Sequence, residues 1–374
     1  MTAPIAYLDH NASSPVLPGV RDAVGVALDI AGNPSSVHQA GRLARRAIET
    51  AREAIASGLG ARPRDLIFTS GGTEANALAL AQAGDRGIAV SAIEHDSVLA
   101  SAPTATRLPV TADGVLDLLA LEQWLVGMGR PAYLSIMYAN NETGVIQPVG
   151  EAARIAHRYG ALVHCDAAQA AFRLDLSFAE LGVDLMTISA HKMGGPKGVG
   201  ALIAADGCAR VSVHRGGGQE RGLRAGTENL PGVAGFGHAA LKARASWRPA
   251  GIEALRNDLE ARIRAAAPEA RIHGANAARL PNTSCIGLPG AGSEEQVIAL
   301  DLAGFAVSAG AACSSGKVTP SHVLIAMGEG VAAARSAIRV SLGPATTKDE
   351  IARFAEAWLA MRTALTGRPV SSAA

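Results

Sequence analysis

Between about residues 65 and 205 the chain alternates two hydrophobic patterns. Apolar runs of strand length lie at Asp65–Thr69, Gly87–Ala92, Ala132–Tyr138, Ala161–Cys165, Asp184–Ser189 and Gly200–Ala204. Between them, Thr73–Ala83, Leu116–Val126 and Val149–Tyr159 read as helices, and Arg42–Leu59 predicts a long helix with Arg and Glu on its outer face. This rhythm predicts an α/β fold with a mostly parallel sheet covered by helices on both faces.

The pattern changes further on. A glycine-rich stretch, Arg215–Gly226, precedes a helical region from about Leu230 to Ala267, broken near Trp247–Gly251 by Pro249. Beyond it come strands at Thr283–Leu288, Phe305–Val307 and Ser336–Leu342, a helix at Ser293–Leu302 and a last helix from Thr347 to about Leu365. The expected division is a large domain over residues 15–257 and a smaller α+β domain built from residues 1–14 and 258–374.

Composition adjusts this picture in a few places. Apolar residues make up 48% of the 374 but aromatic residues only 3%, so the core must be mostly Ala, Leu, Val and Ile. A net charge of +1 without blocks of one sign offers no footprint for nucleic acid or an anionic membrane, which leaves a small-molecule partner. No segment approaches the ~18 apolar residues of a membrane span, and no basic leader precedes an apolar run, so a soluble cytoplasmic protein is expected. Cys165, Cys208, Cys285 and Cys313 form no C-x-x-C pair, which argues against a disulfide framework or a zinc cage. Lysines are scarce: Lys192, Lys197, Lys242, Lys317 and Lys348 face twenty-nine arginines.

In open α/β sheets ligands bind where strands end, and four such junctions carry chemistry. Phe68-Thr69-Ser70-Gly71-Gly72-Thr73-Glu74 runs from a strand through glycines into a helix, an arrangement that suits a phosphate or merely a tight turn. A dinucleotide site is disfavoured there, because the full G-x-G-x-x-G spacing is absent. The strand Ala161–Cys165 delivers Asp166, with Gln169 just beyond; the carboxylate can hold a protonated ring nitrogen or cap a helix. Lys192 follows the strand ending at Ser189 directly, where desolvation favours the neutral amine, and Lys197 in the next glycine loop is its competitor. Cys313 lies in a run of small residues, as a sulfur-carrying thiol would, although an inert loop cysteine fits too. Cys165 and Cys285 fall inside apolar strands and read as core, and Cys208 reads as a turn residue.

Together these segments resemble the cysteine desulfurases of the NifS and IscS class, within the fold-type I, class V aminotransferase-like pyridoxal-phosphate enzymes. The likeness runs nearly end to end. It includes Gly32-Asn33-Pro34-Ser35-Ser36-x-His38, Glu94-His95, Asn140–Gly144, Asp166–Gln169, Ser189-x-His191-Lys192, Gln219–Asn229, Ala312–Gly316 and Ile338-Arg339-x-Ser341-Leu342-Gly343. The resemblance implies pyridoxal 5'-phosphate as cofactor, Lys192 as its Schiff-base lysine, Asp166 as the pyridinium partner and Gln169 as a hydrogen bonder to the phenolic oxygen. His95 would stack on the ring and help move protons. Gly72, Thr73, Ser189 and His191 would hold the phosphate, joined by Thr227 from the neighbouring subunit of a homodimer. Arg339 and Asn141 would hold the carboxylate of the substrate, L-cysteine.

The implied reaction passes the substrate sulfur to Cys313 as a persulfide and releases alanine, for delivery to an acceptor protein such as one in iron–sulfur cluster assembly. No resident metal is implied, Cys313 serving at most as a transient iron–sulfur ligand. Selenocysteine lyase and a class V aminotransferase share the fold and are the alternatives. A degenerate, non-catalytic partner is disfavoured, since Lys192, His95, Asp166 and Cys313 are all present. Ala309-Gly310-Ala311-Ala312 departs from the family's more serine-rich approach to the cysteine.

Overall fold

The computed structural model describes residues 5–247, 251–310 and 319–367; Cys313, Lys317 and Pro249 lie outside them. The described strands are β1 (Ala6–Tyr7), β2 (Leu66–Thr69), β3 (Gly87–Ser91), β4 (Thr106–Leu108), β5 (Ala132–Met137), β6 (Leu162–Asp166), β7 (Leu185–Ser189) and β8 (Gly200–Ala204). They are followed by β9 (Arg271–Ile272), β10 (Thr283–Gly287), β11 (Phe305–Ala306), β12 (Ser308–Ala309) and β13 (Ala337–Ser341). Seven of them form the large sheet in the order β2-β8-β7-β6-β5-β3-β4. All its pairings are parallel except those of β8, which runs against both neighbours.

The strand residues alternate between two apolar layers, as a period of two requires when both faces are covered. Leu66, Leu134, Met186 and Ile203 face one core; their neighbours Ile67, Tyr133, Leu185 and Leu202 face the other. Helices Gln39–Gly58 and Leu230–Trp247 pack together on the first layer, and helix Gly72–Ala81 covers β7 and β8 on the second. Alanine dominates these layers, in keeping with the scarcity of aromatic residues. Gly237 lets two of the helices approach closely: a Cβ there would stand 2.6 Å from the Ala51 Cα.

The apolar runs read from the sequence match the six long strands of this sheet to within a residue at either end, and Asp166 proves to be the last residue of β6. The helix expected at Thr73–Ala83 begins at Gly72 and ends at Ala81. A second sheet, β12-β13-β10-β9, is antiparallel; helix Ser293–Leu302 packs on it, and helix Lys348–Thr366 packs on that helix and on helix Ile252–Ala266. β1 pairs with β11, and Asp9 bridges to Ser341, so the N-terminal segment joins this second unit.

A buried ion pair ties the irregular Gln219–Gly222 turn to the sheet. Arg52 donates to Glu220 through Nη1 at 2.9 Å and Nη2 at 2.7 Å, and the Phe68 amide donates to the same carboxylate at 2.8 Å. These bonds hold Glu220 and Arg221 at φ 44° and 60°, conformations that L residues rarely adopt. Arg52 also pairs with Glu49, whose side chain is half exposed. Glu220→Ala leaves the buried guanidinium without its main counter-charge and is expected to cost about 3–5 kcal/mol, whereas Glu49→Ala is expected to cost at most about 1 kcal/mol. Urea unfolding of the two variants checks both, and equal costs would show that burial of this pair does not matter.

Candidate active site

The carboxyl ends of β2, β6 and β7 and the segments after β3 and β5 converge on a cavity of about 270 Å³. Of the residues singled out in the sequence, Gly72, Thr73, Ser189 and His191 line one end of it. Asp166, Gln169, Lys192, His95 and Asn141 line the rest. Arg339 and Thr227 do not line it, and Cys313 lies outside the described residues.

The glycine turn after β2 is built for an anion. Helix Gly72–Ala81 begins without a side-chain cap, so its first amides are free, and it directs the positive end of its dipole at the cavity. Ser189 Oγ is buried beside it with no hydrogen-bond partner. Gly200 on β8 permits the turn to come this close, since a Cβ there would lie 2.7 Å from the Gly71 carbonyl carbon. His191 Nδ1 is 3.3 Å from Ser13 Oγ. Burial, helped by the Lys192, Arg173 and Lys197 cations, pushes His191 down to about 4, which keeps it neutral at physiological pH. Lys197, the competing lysine, is exposed and lines an outer cleft on the far side of the same turn.

Lys192 occupies the single helical turn Ala190–Lys192 that follows β7. Its Nζ donates to the carbonyls of Asn11 at 2.6 Å and Ala12 at 3.0 Å. Burial, then the Arg339 and Arg173 cations, pushes its amine down to about 7. A large neutral fraction at pH 7 is what attack on a carbonyl carbon requires.

Asp166 terminates β6. No helix starts after it, so the capping alternative reduces to one bond, in which Oδ1 accepts from the Ala168 amide at 2.9 Å. Oδ2 accepts from Asn76 Nδ2 at 2.7 Å, and the same amide donates to Ser97 Oγ at 2.8 Å. Ser97 Oγ in turn lies 2.8 Å from His95 Nδ1, which also accepts from the Ser97 amide at 3.1 Å. A backbone amide can only donate, so Nδ1 is the acceptor and the neutral ring carries its proton on Nε2. A hydrogen-bonded chain thus runs from the buried Asp166 through Asn76 and Ser97 out to the exposed His95. Gln169 Nε2 donates to the Asn11 carbonyl at 3.0 Å.

Arg339, on β13, is not among the residues lining the cavity. It donates to Asp9 Oδ1 at 2.7 Å and to the Asn141 carbonyl at 3.2 Å, while its buried Nε–H has no partner. Thr227 is exposed in a separate cleft that it shares with Ser70 and Gly198. The three described cysteines are poor nucleophiles: burial raises the Cys165 and Cys285 thiols strongly, and Cys208 is raised as well. Among the described residues no cluster of His, Cys, Asp or Glu could hold a metal ion, and no helix is long and apolar enough to cross a membrane.

The sequence reading gave no role to Asn76, Ser97, Asn11 or Arg173. Asn76 stands on the helix of the glycine turn and Ser97 follows His95 by two residues, spacings that suggest a shared face but not a bond to Asp166. Asn11 and Arg173 meet the site only through tertiary contacts, for which the sequence carries no local signal.

This arrangement offers, within one cavity, an anion cradle, a carboxylate for a protonated nitrogen and an amine for a carbonyl. The chain is 44% identical over 365 residues to a cysteine desulfurase of Cereibacter sphaeroides, covering 94% of each. It is 38% identical over 367 residues to an IscS-like cysteine desulfurase of Mycobacterium tuberculosis, covering 93% of each. The solved structure of a NifS-like protein from Rickettsia africae superposes with a TM-score of 0.90 at 37% identity, over 96% of this chain and 99% of that one. With residues 6–354 matching its sequence pattern, the chain belongs to the aminotransferase class-V family.

Proposed function

We propose that the chain is a pyridoxal-phosphate-dependent cysteine desulfurase that converts L-cysteine to L-alanine and passes the sulfur to Cys313. The observation that carries this reading is the Lys192 amine, held near neutrality at the edge of a cavity that also presents the Asp166 carboxylate and an unpaired Ser189 hydroxyl. The relatives named above support the same activity.

The residues fit the cofactor. Lys192 would hold it through its amine, Asp166 through the ring nitrogen, Gln169 through the phenolic oxygen and His95 by stacking. The free amides at Gly72 and Thr73, Ser189 Oγ and His191 would take the phosphate, with Thr227 of a second copy completing the cradle in a homodimer. When bound, the cofactor supplies a sink for the electron pair left as the substrate Cα loses its proton. Lys192 Nζ, with its lowered proton affinity, would take that proton. Asn141 and Arg339 orient the substrate carboxylate, for which the Arg339 Nε–H is a free buried donor.

The overall exchange balances: the Cys313 thiol and cysteine become the Cys313 persulfide and alanine. The sulfur then goes to an acceptor protein, iron–sulfur cluster assembly being the outlet the resemblance favours, and the setting is the cytoplasm. Residues 1–14 and 258–374 form the smaller domain in this reading, supported by the pairing of β1 with β11, and residues 15–257 form the larger.

Incubating the purified protein with L-cysteine and assaying alanine and sulfide tests the proposal. Alanine release is expected to fall by roughly 10²–10⁴-fold in Lys192→Ala and to vanish in Cys313→Ala, which should still bind the cofactor. Full alanine release in Cys313→Ala would sink the persulfide step, whereas transfer of the cysteine amine to an added 2-oxo acid, without sulfide and without dependence on Cys313, would point to an aminotransferase. Side-by-side rates on cysteine and selenocysteine separate desulfurase from selenocysteine lyase.

The rate at which cofactor-depleted protein takes up pyridoxal phosphate should also depend on pH. The amine must be neutral, so uptake is expected to rise with pH through a midpoint near 7 and to level off above it. Stopped-flow absorbance measures the midpoint, and a value near that of an ordinary lysine would contradict the assignment.

A further inference from the structure

Arg173 plays no part in that mechanism, yet it is among the most enclosed charges in the molecule, only 4% exposed. It leaves the turn after β6, four residues beyond Gln169, and its guanidinium lies 4.4 Å from the centre of the Trp247 ring. Nε donates to the Lys192 carbonyl at 2.8 Å, and Nη2 reaches the same oxygen. Nη1 donates to Asn11 Oδ1 at 2.9 Å and to Gln169 Oε1 at 2.8 Å. Nη2 also donates to the His10 carbonyl at 2.8 Å and to Ser14 Oγ at 3.3 Å.

All five acceptors are neutral, and among the described residues no carboxylate lies within ion-pair distance. A buried cation with neutral partners adds little through pairing, so its value lies in where its rigid fork puts those partners. They are the groups around the Lys192 amine. Nζ donates to the Asn11 and Ala12 carbonyls, and Gln169 Nε2 donates to the Asn11 carbonyl. Because Gln169 Oε1 is committed to Arg173, its Nε2 must face Asn11 and the cavity. The residue before, Phe172, is buried at φ 63°, a strained conformation for a bulky side chain that persists only where its surroundings enforce it.

We propose that Arg173 is the positioning residue of this site: its fork ties the Lys192 main chain, the Gln169 amide and the 10–14 segment into one unit and sets where the Lys192 amine stands. The inference rests on the reading of Lys192 and Gln169 as cofactor-holding groups. Lysine cannot replace the arginine, since an ammonium cannot lie flat on Trp247 and reach acceptors on both edges at once. The charged and titratable groups facing the Lys192 amine are Arg173, Arg339 of β13, Asp166 of β6, Asp9 of the N-terminal segment and His191 of its own turn.

The test compares the full-length wild type with Arg173→Met and Arg173→Lys, freed of cofactor. Lysines are labelled with trinitrobenzenesulfonate from neutral to alkaline pH, and Lys192 is read by peptide mass spectrometry against Lys242, exposed on helix Leu230–Trp247. At pH above the labelling midpoint, both variants are expected to label Lys192 about tenfold faster relative to Lys242, as loss of one to two hydrogen bonds implies. The pH midpoint of labelling should rise in Arg173→Met, which loses the cation, and stay near the wild-type value in Arg173→Lys. Wild-type labelling ratios in variants with native circular dichroism would overturn the proposal, and Arg173→Lys carries the test if the methionine variant does not fold. No substrate enters the assay, so a wild type that releases no alanine from cysteine would sink the functional reading without deciding this one.

Discussion

The connection between β7 and β8 sets up everything else in the site. β7 ends at Ser189 and β8 begins at Gly200, too little chain for the crossover of a dozen or more residues that a parallel partner needs. β8 must therefore return antiparallel, the one reversal in the large sheet. The chain consequently turns back over the carboxyl end of β7 instead of leaving on a helix, and Lys192 is held at the sheet edge where β6 delivers Asp166. β8 is also the strand between β7 and β2, so its first residue decides how near the anion-binding turn can come. Gly200 occupies that position, and any larger residue would push the turn away.

On this frame the polar groups are arranged so that a ligand can complete them. Ser189 Oγ, Asn76 Oδ1 and the Arg339 Nε–H are buried without partners, each at a cost that a fully satisfied core would avoid. Arg339 illustrates the balance. Its Nη2 is committed to Asp9, brought alongside by the bridge between Asp9 and Ser341. In the proposed reading, a carboxylate held by Arg339 would have to use the free Nε edge or compete with Asp9.

Much of this was legible in the sequence, because period-two runs buried on both faces leave a strong signal. The six long strands, the major helices and the convergence of Gly72, Asp166, Ser189 and Lys192 could be read from local pattern. The edge strand β4, three residues at Thr106–Leu108, is too short to carry a period. The alternative roles for Asp166 and Lys197 were separable only by burial: both chemistries suit the residue type, and the fold decides which side chain faces the cavity. Arg173 was invisible for a further reason. It ends an alanine-rich run with no helical or strand period, and its partners come from positions 10 to 14, 169 and 192, a set that no spacing rule connects.

Two nitrogen bases share the end of the cavity near the glycine turn, and their environments separate their tasks. His191 and Lys192 are adjacent in sequence, and burial is the main influence lowering both. Histidine starts from an ordinary value near 6.5 and falls to about 4, so across the physiological range it stays neutral and can only share a fixed hydrogen bond. Lysine starts near 10.5 and falls to about 7, which leaves it exchanging its proton at the pH of the cell. The same desolvation therefore removes one base from acid–base work and brings the other into range. In the proposed mechanism, proton transfer at this end of the site would therefore fall to Lys192, with His191 as a neutral wall beside it.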